Sequence, residues 1–271
     1  TLRVTDLKDH YDTQLALAAY VLLNVLTLTT DPATLLDCLR PRTQESLARA
    51  LSRLDDAERR WKASSRAAES PKEPRRGSVM TYRELHDQTV QTLGRESVAE
   101  ALENEWERWP VDMDKRERCV KLIERLWALS GRQGPAVVLF YAPPYYPHVA
   151  PTPSALRDAT EAVVAAHPEL NLMQGAYFPL LSDLSYLRLN KAAGLAVWQR
   201  NMPVWQEEVE RPGGYYLPFD IIHELDIPIV NIGPYGRGVH QAGEAVLMSY
   251  SFGVMPQLIY ETIQHLGRIA T

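Results

Sequence analysis

The chain has 271 residues, a formal net charge of −5 and an isoelectric point near 5.8. This acidic balance argues against nucleic acid as a partner, because proteins that bind nucleic acids normally carry a basic surface. No run of about eighteen apolar residues occurs, so neither a membrane-spanning helix nor a membrane partner is predicted. Cys38 and Cys119 suit reduced intracellular thiols better than a disulfide framework. With no signal-like segment at Thr1, the expected location is the cytoplasm.

The N-terminal part predicts one strand followed by two helices. Residues 15–28 are rich in aliphatic side chains and predict a long strand, although their alanines leave a helix open for the first half. Asp31-Pro32 predicts a helix start, with proline at the first helical position. Pro41 is expected to break or restart that helix. The second helix continues to Trp61 and carries a charged, solvated face.

A mainly helical region is predicted next, between residues 64 and 134. Residues 64–77 hold serines, prolines and paired arginines and predict an exposed loop. Thr81 and Glu84 have the spacing of a capping box, which opens the first of several helices. Residues 135–141 then form an aliphatic run that predicts a buried strand.

The C-terminal half is predicted to alternate short elements with polar turns. A helix is predicted after residues 152–153, a strand over 170–178 and a loop over 190–216. A short helix is predicted at residues 218–225. The last helix is predicted to stop at Gly267, because glycine commonly follows a helix end.

One stretch in this half contains candidate functional residues. The β-branched run at residues 227–232 predicts a buried strand, and the G-P-Y-G-R-G sequence at 233–238 ends it. A loop with so few side chains lets backbone N–H groups approach a ligand. His240 and Glu244 follow, just beyond the end of the predicted strand, where open α/β sheets place their sites. On spacing alone, His240 is most simply a solvated loop residue.

The amino-acid sequence of this stretch resembles the C-terminal motif of a zinc enzyme family. The N-I-G-P-Y-G turn, His240 and a glutamate four residues later, Glu244, are similar to that motif in the aminoacylase, carboxypeptidase and desuccinylase family, family twenty of the metallopeptidases. The resemblance is nearest to its arginine-utilisation, RocB-like branch. The strings A-P-P-Y-Y-P-H at residues 142–148 and S-D-L-S-Y at 182–186 resemble the same branch.

This resemblance implies a hydrolase that uses one or two zinc ions to cleave an amide bond of an N-acylated amino acid or small peptide. His240 would be a zinc ligand, and Glu244 would be a carboxylate beside that ligand. The residues that would border the substrate are Ser182, Asp183, Gly233, Pro234, Tyr235 and Gly236. No residue of the chain matches the general base, so the base and the other ligands are expected upstream of Thr1. A zinc site needs three or more protein ligands, so the chain alone is expected to bind zinc weakly or not at all.

The resemblance also implies an α/β fold with two parts. Residues 1–141 would be a two-layer sheet-and-helix lid, or dimerisation domain, with a helical insertion at about 64–134. Residues 142–271 would be the C-terminal part of an α/β zinc-hydrolase catalytic domain. Because relatives pair through an edge of the lid sheet, a homodimer is expected. A second interpretation stays open, in which the chain is a non-enzymatic dimerising or binding module with a vestigial metal site.

Overall fold

The computed structural model describes residues 2–4, 18–26, 30–65, 73–146, 154–175, 183–189, 195–207 and 211–269. Within them the protein mixes α-helices with short strands, which confirms the predicted α/β class. Contacts divide the chain into two units, the first comprising Thr1–Tyr145 with Ala192–Leu217 and the second Tyr146–Lys191 with Pro218–Thr271. The assignment of one part to a lid and the other to a catalytic domain stays a prediction.

The described elements are helices joined by very short strands. In chain order they are β1 (Leu2–Val4), β2 (Ala19–Val21), α1 (Pro32–Ser65), β3 (Ser78–Thr81), α2 (Tyr82–Leu93), α3 (Arg95–Trp106), α4 (Lys115–Leu129), β4 (Ala136–Leu139), α5 (Ala155–Ala166), α6 (Leu195–Arg200), α7 (Phe219–Leu225), β5 (Gly236–Arg237), β6 (Ala245–Val246) and α8 (Met255–Ile269). No helix in the described ranges is both long and apolar enough to cross a membrane.

The first unit is built on a parallel strand pair. β3 and β4 run side by side with Ser78 opposite Ala136, and α2, α3 and α4 form the crossover that a parallel pair requires. The strand β4 was predicted, whereas β3 was not; its last residue, Thr81, is also the cap of α2. The apolar core between the pair and the helices contains Met80, Leu85, Val98 and Leu126.

The predicted capping box opens α2. The Glu84 N–H donates to the Thr81 hydroxyl at 3.2 Å, and the Thr81 N–H donates to the Glu84 carboxylate at 2.8 Å. These two bonds satisfy donors that a helix start otherwise leaves without partners. The helices that follow, α3 and α4, confirm the predicted helical region up to Leu129.

The long helix α1 begins where it was predicted but does not break at Pro41. The Asp31 carboxylate accepts the Thr34 N–H at 3.0 Å and so caps the start of the helix. The expected break is wrong, since α1 is continuous from Pro32 to Ser65. Interior proline costs about 3 kcal/mol, and the buried side chains of Leu36 and Leu51, one on each side of Pro41, oppose that cost.

The predicted strand at residues 15–28 is observed only as β2. It pairs with β1 in the antiparallel sense, with Leu2 opposite Val21. Residues 22–26 continue without regular structure, and residues 15–17 and 27–28 lie outside the described ranges.

The second unit contains the helix pair α5 and α8, which pack against each other. Their buried residues are Ala159, Thr160 and Val163 on α5 and Leu258 and Thr262 on α8. The predicted end of α8 at Gly267 is wrong by two residues, because the helix continues to Ile269.

Three further predictions for the C-terminal half are wrong in the described ranges. The region predicted as a strand over residues 170–178 instead shows a short 3-10 helix, Pro168–Leu170, and no strand over 171–175. The predicted loop at 190–216 contains α6 and a bridge between Trp205 and Tyr215. Residues 227–232, predicted as a buried strand, form no strand and are exposed or half-buried. A strand needs a ladder of backbone bonds, and within the described residues this segment makes one such bond, from the Ile227 N–H to the Leu187 carbonyl.

Candidate functional site

The candidate site is a small hairpin at residues 235–247 of the second unit. β5 and β6 pair in the antiparallel sense, with Gly236 opposite Val246. The Leu247 N–H donates to the Tyr235 carbonyl at 2.8 Å and extends this pairing by one bond. The hairpin therefore closes the loop of residues 238–244, in which His240 and Glu244 lie.

Two glycines are required by the hairpin itself. A Cβ atom added at Gly236 would overlap the Ala245 carbonyl oxygen on the opposite strand. Gly238 has a φ of 66°, which is in the left-handed region that favours glycine. Gly233, by contrast, has open space around the position of a Cβ atom. Close backbone packing thus accounts for Gly236, and backbone conformation accounts for Gly238.

Glu244 holds the loop in shape around His240. The His240 N–H donates to the Glu244 carboxylate at 3.2 Å. The carboxylate thus bonds the backbone of His240 and not its ring. Two turn bonds complete the loop, from the Gln241 N–H to the Gly238 carbonyl at 2.8 Å and from the Glu244 N–H to the Gln241 carbonyl at 3.0 Å.

His240 is exposed and has a φ of 60°, a conformation that few residues other than glycine adopt. In the described part of the chain its imidazole makes no hydrogen bond, so both ring nitrogens are available to a ligand or to water. An exposed imidazole on a hairpin fits one position of a zinc shell. The described ranges contain no group of three histidine, cysteine, aspartate or glutamate side chains that could hold a metal. The role of His240 as a zinc ligand therefore stays a prediction.

The first residue of the hairpin, Tyr235, contacts the π-helical turn that precedes the last helix. The aromatic rings of Tyr235 and Tyr250 meet edge to face, with centroids 6.3 Å apart. The Ser251 hydroxyl lies 3.5 Å from the Tyr235 carbonyl oxygen as a long hydrogen bond. Ser251 belongs to a π-helical turn, Tyr250–Val254, which leads into α8. Such turns are often found at functional sites.

The segment that contains Asp183 lies against the segment that leads to the hairpin. Asp183 begins a 3-10 turn, Asp183–Tyr186, while Ser182 is outside the described residues. Just after this turn, the Leu187 carbonyl accepts the Ile227 N–H at 3.3 Å. Arg188 and Asp226 form an ion pair at 2.8 Å. The structure thus brings residues 183–188 next to the start of the 227–232 segment, and the substrate roles of Ser182, Asp183 and residues 233–236 stay predictions.

A second cluster of ionisable side chains was not singled out from the sequence. The two ring nitrogens of His167 lie 2.7 Å from a Glu261 oxygen and 3.1 Å from a Glu169 oxygen. Hydrogen bonds to Glu261, and then to Glu169, raise the pKa of His167 above 6.5. His167 follows α5 and Glu261 lies on α8, so the cluster bridges the two helices. Because the partners are 94 residues apart, sequence spacing gave no signal for it.

Comparison with known proteins gives relatives but no family assignment. The chain is 30% identical over 267 residues to the uncharacterized protein YqjN of Bacillus subtilis (strain 168), and this match covers 96% of the chain and 46% of YqjN. It is 28% identical over 271 residues to protein RocB of the same organism, with the same coverage of 96% and 46%. The chain thus spans about half the length of these curated relatives. It matches no family model and no solved structure.

Proposed function

We propose that this chain is part of a zinc-dependent amidohydrolase, of the aminoacylase and carboxypeptidase type, that cleaves an amide bond of an N-acylated amino acid or small peptide. The similarity to RocB supports its nearest relationship with the RocB-like branch, and hence a role in arginine or other amino-acid catabolism in the cytoplasm. The observation that carries the proposal is the hairpin, which displays the exposed His240 on a loop that Glu244 fixes.

The loop geometry suits a histidine that binds a metal ion without a change in the shape of the loop. Because Glu244 bonds the backbone of His240 rather than its ring, the loop shape is fixed and the imidazole stays available. Groups that position a metal ligand in this way typically change metal affinity or activity by roughly 10- to 100-fold when mutated. Zinc, when bound, polarises a carbonyl and activates water. His240 contributes one ligand, and the remaining ligands and the general base come from outside the described residues.

The test compares His240→Ala with Glu244→Gln in the full gene product. We expect His240→Ala to remove most hydrolysis of N-acylated amino acids and to lower the zinc content. Glu244→Gln is expected to lower turnover by roughly 10- to 100-fold, because a neutral amide holds the His240 N–H more weakly. Zinc content, turnover and melting temperature are measured on each variant.

The matched control is Gln241→Ala, which changes an exposed side chain in the same loop and leaves its backbone bonds in place. We expect this variant to keep zinc, turnover and melting temperature within the error of the unmodified protein. Full activity and full zinc content in His240→Ala would contradict the proposal. That result would favour the non-enzymatic binding module, for which all three changes cost less than about 0.5 kcal/mol in stability and nothing else.

A further inference from the structure

The hairpin presents a cation that the predicted site did not include. The residues predicted to border the substrate end at Gly236, and Arg237, the second residue of β5, follows them and is exposed. Its partner across the hairpin is Ala245, and the side chains of directly opposed residues share one face of an antiparallel pair. Since alanine carries a single methyl group, the opposite strand leaves the Arg237 side chain accessible.

An aromatic ring lies on the same face of the hairpin as Arg237. The bond between the Leu247 N–H and the Tyr235 carbonyl continues the strand pairing. Side chains alternate along a strand, so those of Tyr235 and Arg237, two positions apart, share a face. Tyr235 is 65% exposed, and its ring meets that of Tyr250 edge to face. An aromatic ring beside a guanidinium suits a ligand that has a carboxylate next to an apolar group.

The guanidinium of Arg237 has no ion-pair partner among the described residues. The hairpin includes one carboxylate, that of Glu244, which accepts the His240 N–H at 3.2 Å. Arg157 of the same unit, by contrast, forms an ion pair with Glu161 at 2.7 Å. The five N–H donors of the Arg237 guanidinium are therefore available to an anion from outside the described part of the chain.

A tight turn fixes where Arg237 stands along the chain relative to His240. The Gln241 N–H donates to the Gly238 carbonyl at 2.8 Å, which closes a β-turn over residues 238–241. His240 is the third residue of this turn, and its φ of 60° is the positive value that a type II turn requires there. The loop between the two side chains thus has a defined shape, and a substrate held at His240 would have Arg237 beside it.

We propose that Arg237 binds a carboxylate of the substrate and so restricts the enzyme to substrates that have one at the matching position. This inference rests on the proposed function, because it takes the substrate to be an N-acylated amino acid or small peptide. A guanidinium forms two parallel N–H···O bonds with a carboxylate, which adds orientation to affinity. Two carboxylates of such a substrate qualify, the α-carboxylate of the amino acid and that of a dicarboxylic acyl group, and the experiment separates them.

The experiment uses the full gene product and three compounds that differ in the position of their carboxylate. N-acetylleucine has the α-carboxylate, N-acetylleucine amide has no carboxylate, and N-succinylleucine amide has one on the acyl group alone. Phenylglyoxal modifies accessible arginine side chains, and mass spectrometry compares its reaction at Arg237 with that at Arg268, an exposed residue of α8 in the same unit. Turnover of each compound is measured on the unmodified protein, on Arg237→Gln and on the matched control Arg268→Gln.

We expect N-acetylleucine to slow the modification of Arg237 and not that of Arg268, and N-acetylleucine amide to leave both rates unchanged. Arg237→Gln should lower kcat/KM for N-acetylleucine by at least about tenfold, which corresponds to about 1.4 kcal/mol, mainly through a higher KM. The same substitution should leave turnover of the amide unchanged, and Arg268→Gln should affect neither compound. Protection of Arg237 by N-succinylleucine amide alone would support the proposal and assign the carboxylate to the acyl group.

Two results would overturn the proposal. One is that neither carboxylate protects Arg237, and the other is that Arg237→Gln lowers kcat/KM equally for the acid and its amide, which would indicate a structural role. Protection is read without hydrolysis, so the proposed function is tested separately. Protection of Arg237 without turnover of any compound would retain the carboxylate site and contradict the hydrolase, whereas turnover without protection would retain the hydrolase and contradict the carboxylate site.

Discussion

At the scale of single residues, the least expected side chain is Arg118 of α4. It is 1% exposed, and its guanidinium donates to the Trp106 carbonyl at 3.1 Å and to the Pro110 carbonyl at 2.6 Å. It also lies over the Trp106 ring, 4.8 Å from the centroid. A charged residue in an amphipathic helix predicts a solvated position, so its burial could not be inferred from the sequence. Here two carbonyl acceptors and an aromatic ring replace the water that a buried guanidinium loses.

We expect Arg118→Lys to destabilise the first unit by roughly 2–4 kcal/mol, because an ammonium cannot bond both carbonyls while stacking on the ring. The matched control is Arg116→Lys on the same helix, whose exposed ion pair with Asp114 should cost less than about 1 kcal/mol. Chemical unfolding followed by tryptophan fluorescence measures both changes. Equal stability of the two variants would show that the buried contacts of Arg118 contribute nothing.

At the scale of elements, the junction of α5 and α8 depends on charge. Both ring nitrogens of His167 face carboxylates, so both hydrogen bonds require the protonated ring. The pKa of Glu261 is lowered by hydrogen bonds from Gln257 and then His167. The pKa of Glu169 is lowered by its own backbone N–H and then by His167. All three side chains are therefore charged only at pH values above the pKa of the two carboxylates and below the pKa of the histidine.

This arrangement predicts a pH window for the stability of the second unit. The pKa of His167 is raised in the folded protein. Its contribution to stability is therefore complete below pH 6.5 and is lost as pH rises through the pKa of the folded state. The pKa values of Glu169 and Glu261 are lowered. Their contribution to stability is therefore complete above pH 4.5 and is lost as pH falls through the pKa values of the folded state. We expect the melting temperature to be highest between about pH 4.5 and pH 6.5. His167→Gln should flatten the alkaline side of the profile, and His223→Gln, at an exposed position on α7, should not.

The elements also show how far sequence patterns determine this fold. Local signals were reliable, as the capping box at Thr81 and the start of α1 at Pro32 demonstrate. Two non-local outcomes were not predictable. Packing on both sides of Pro41 maintains a helix that local sterics disfavour, and among the described residues the 227–232 segment has a single backbone bond where a strand needs a ladder. The loop of His240 was located from its motif, whereas the bond between the Glu244 carboxylate and the His240 N–H needed coordinates, because spacing alone does not orient a side chain in a loop.

At the scale of the whole molecule, the first unit has an exposed apolar segment. Val21 ends β2, and Leu23, Val25 and Leu26 follow it without regular structure; all four are at least half exposed, with Leu23 at 67%. Exposed apolar residues that follow a short strand invite contact with another chain. This region supports the homodimer that family resemblance implies for the lid, which stays a prediction.

The dimer prediction can be tested with two neighbouring substitutions. We expect light scattering to give the mass of a homodimer, or aggregation where the segment is left bare, because burying this segment removes apolar area from water. Leu23→Lys places a charge on the apolar segment and should shift the protein towards the monomer. Asn24→Lys adds the same charge at the next position, which is exposed and polar, and should leave the mass unchanged. A monomer at high concentration in the unmodified protein would contradict the prediction. Dimers of equal stability in both variants would place the interface elsewhere on the molecule.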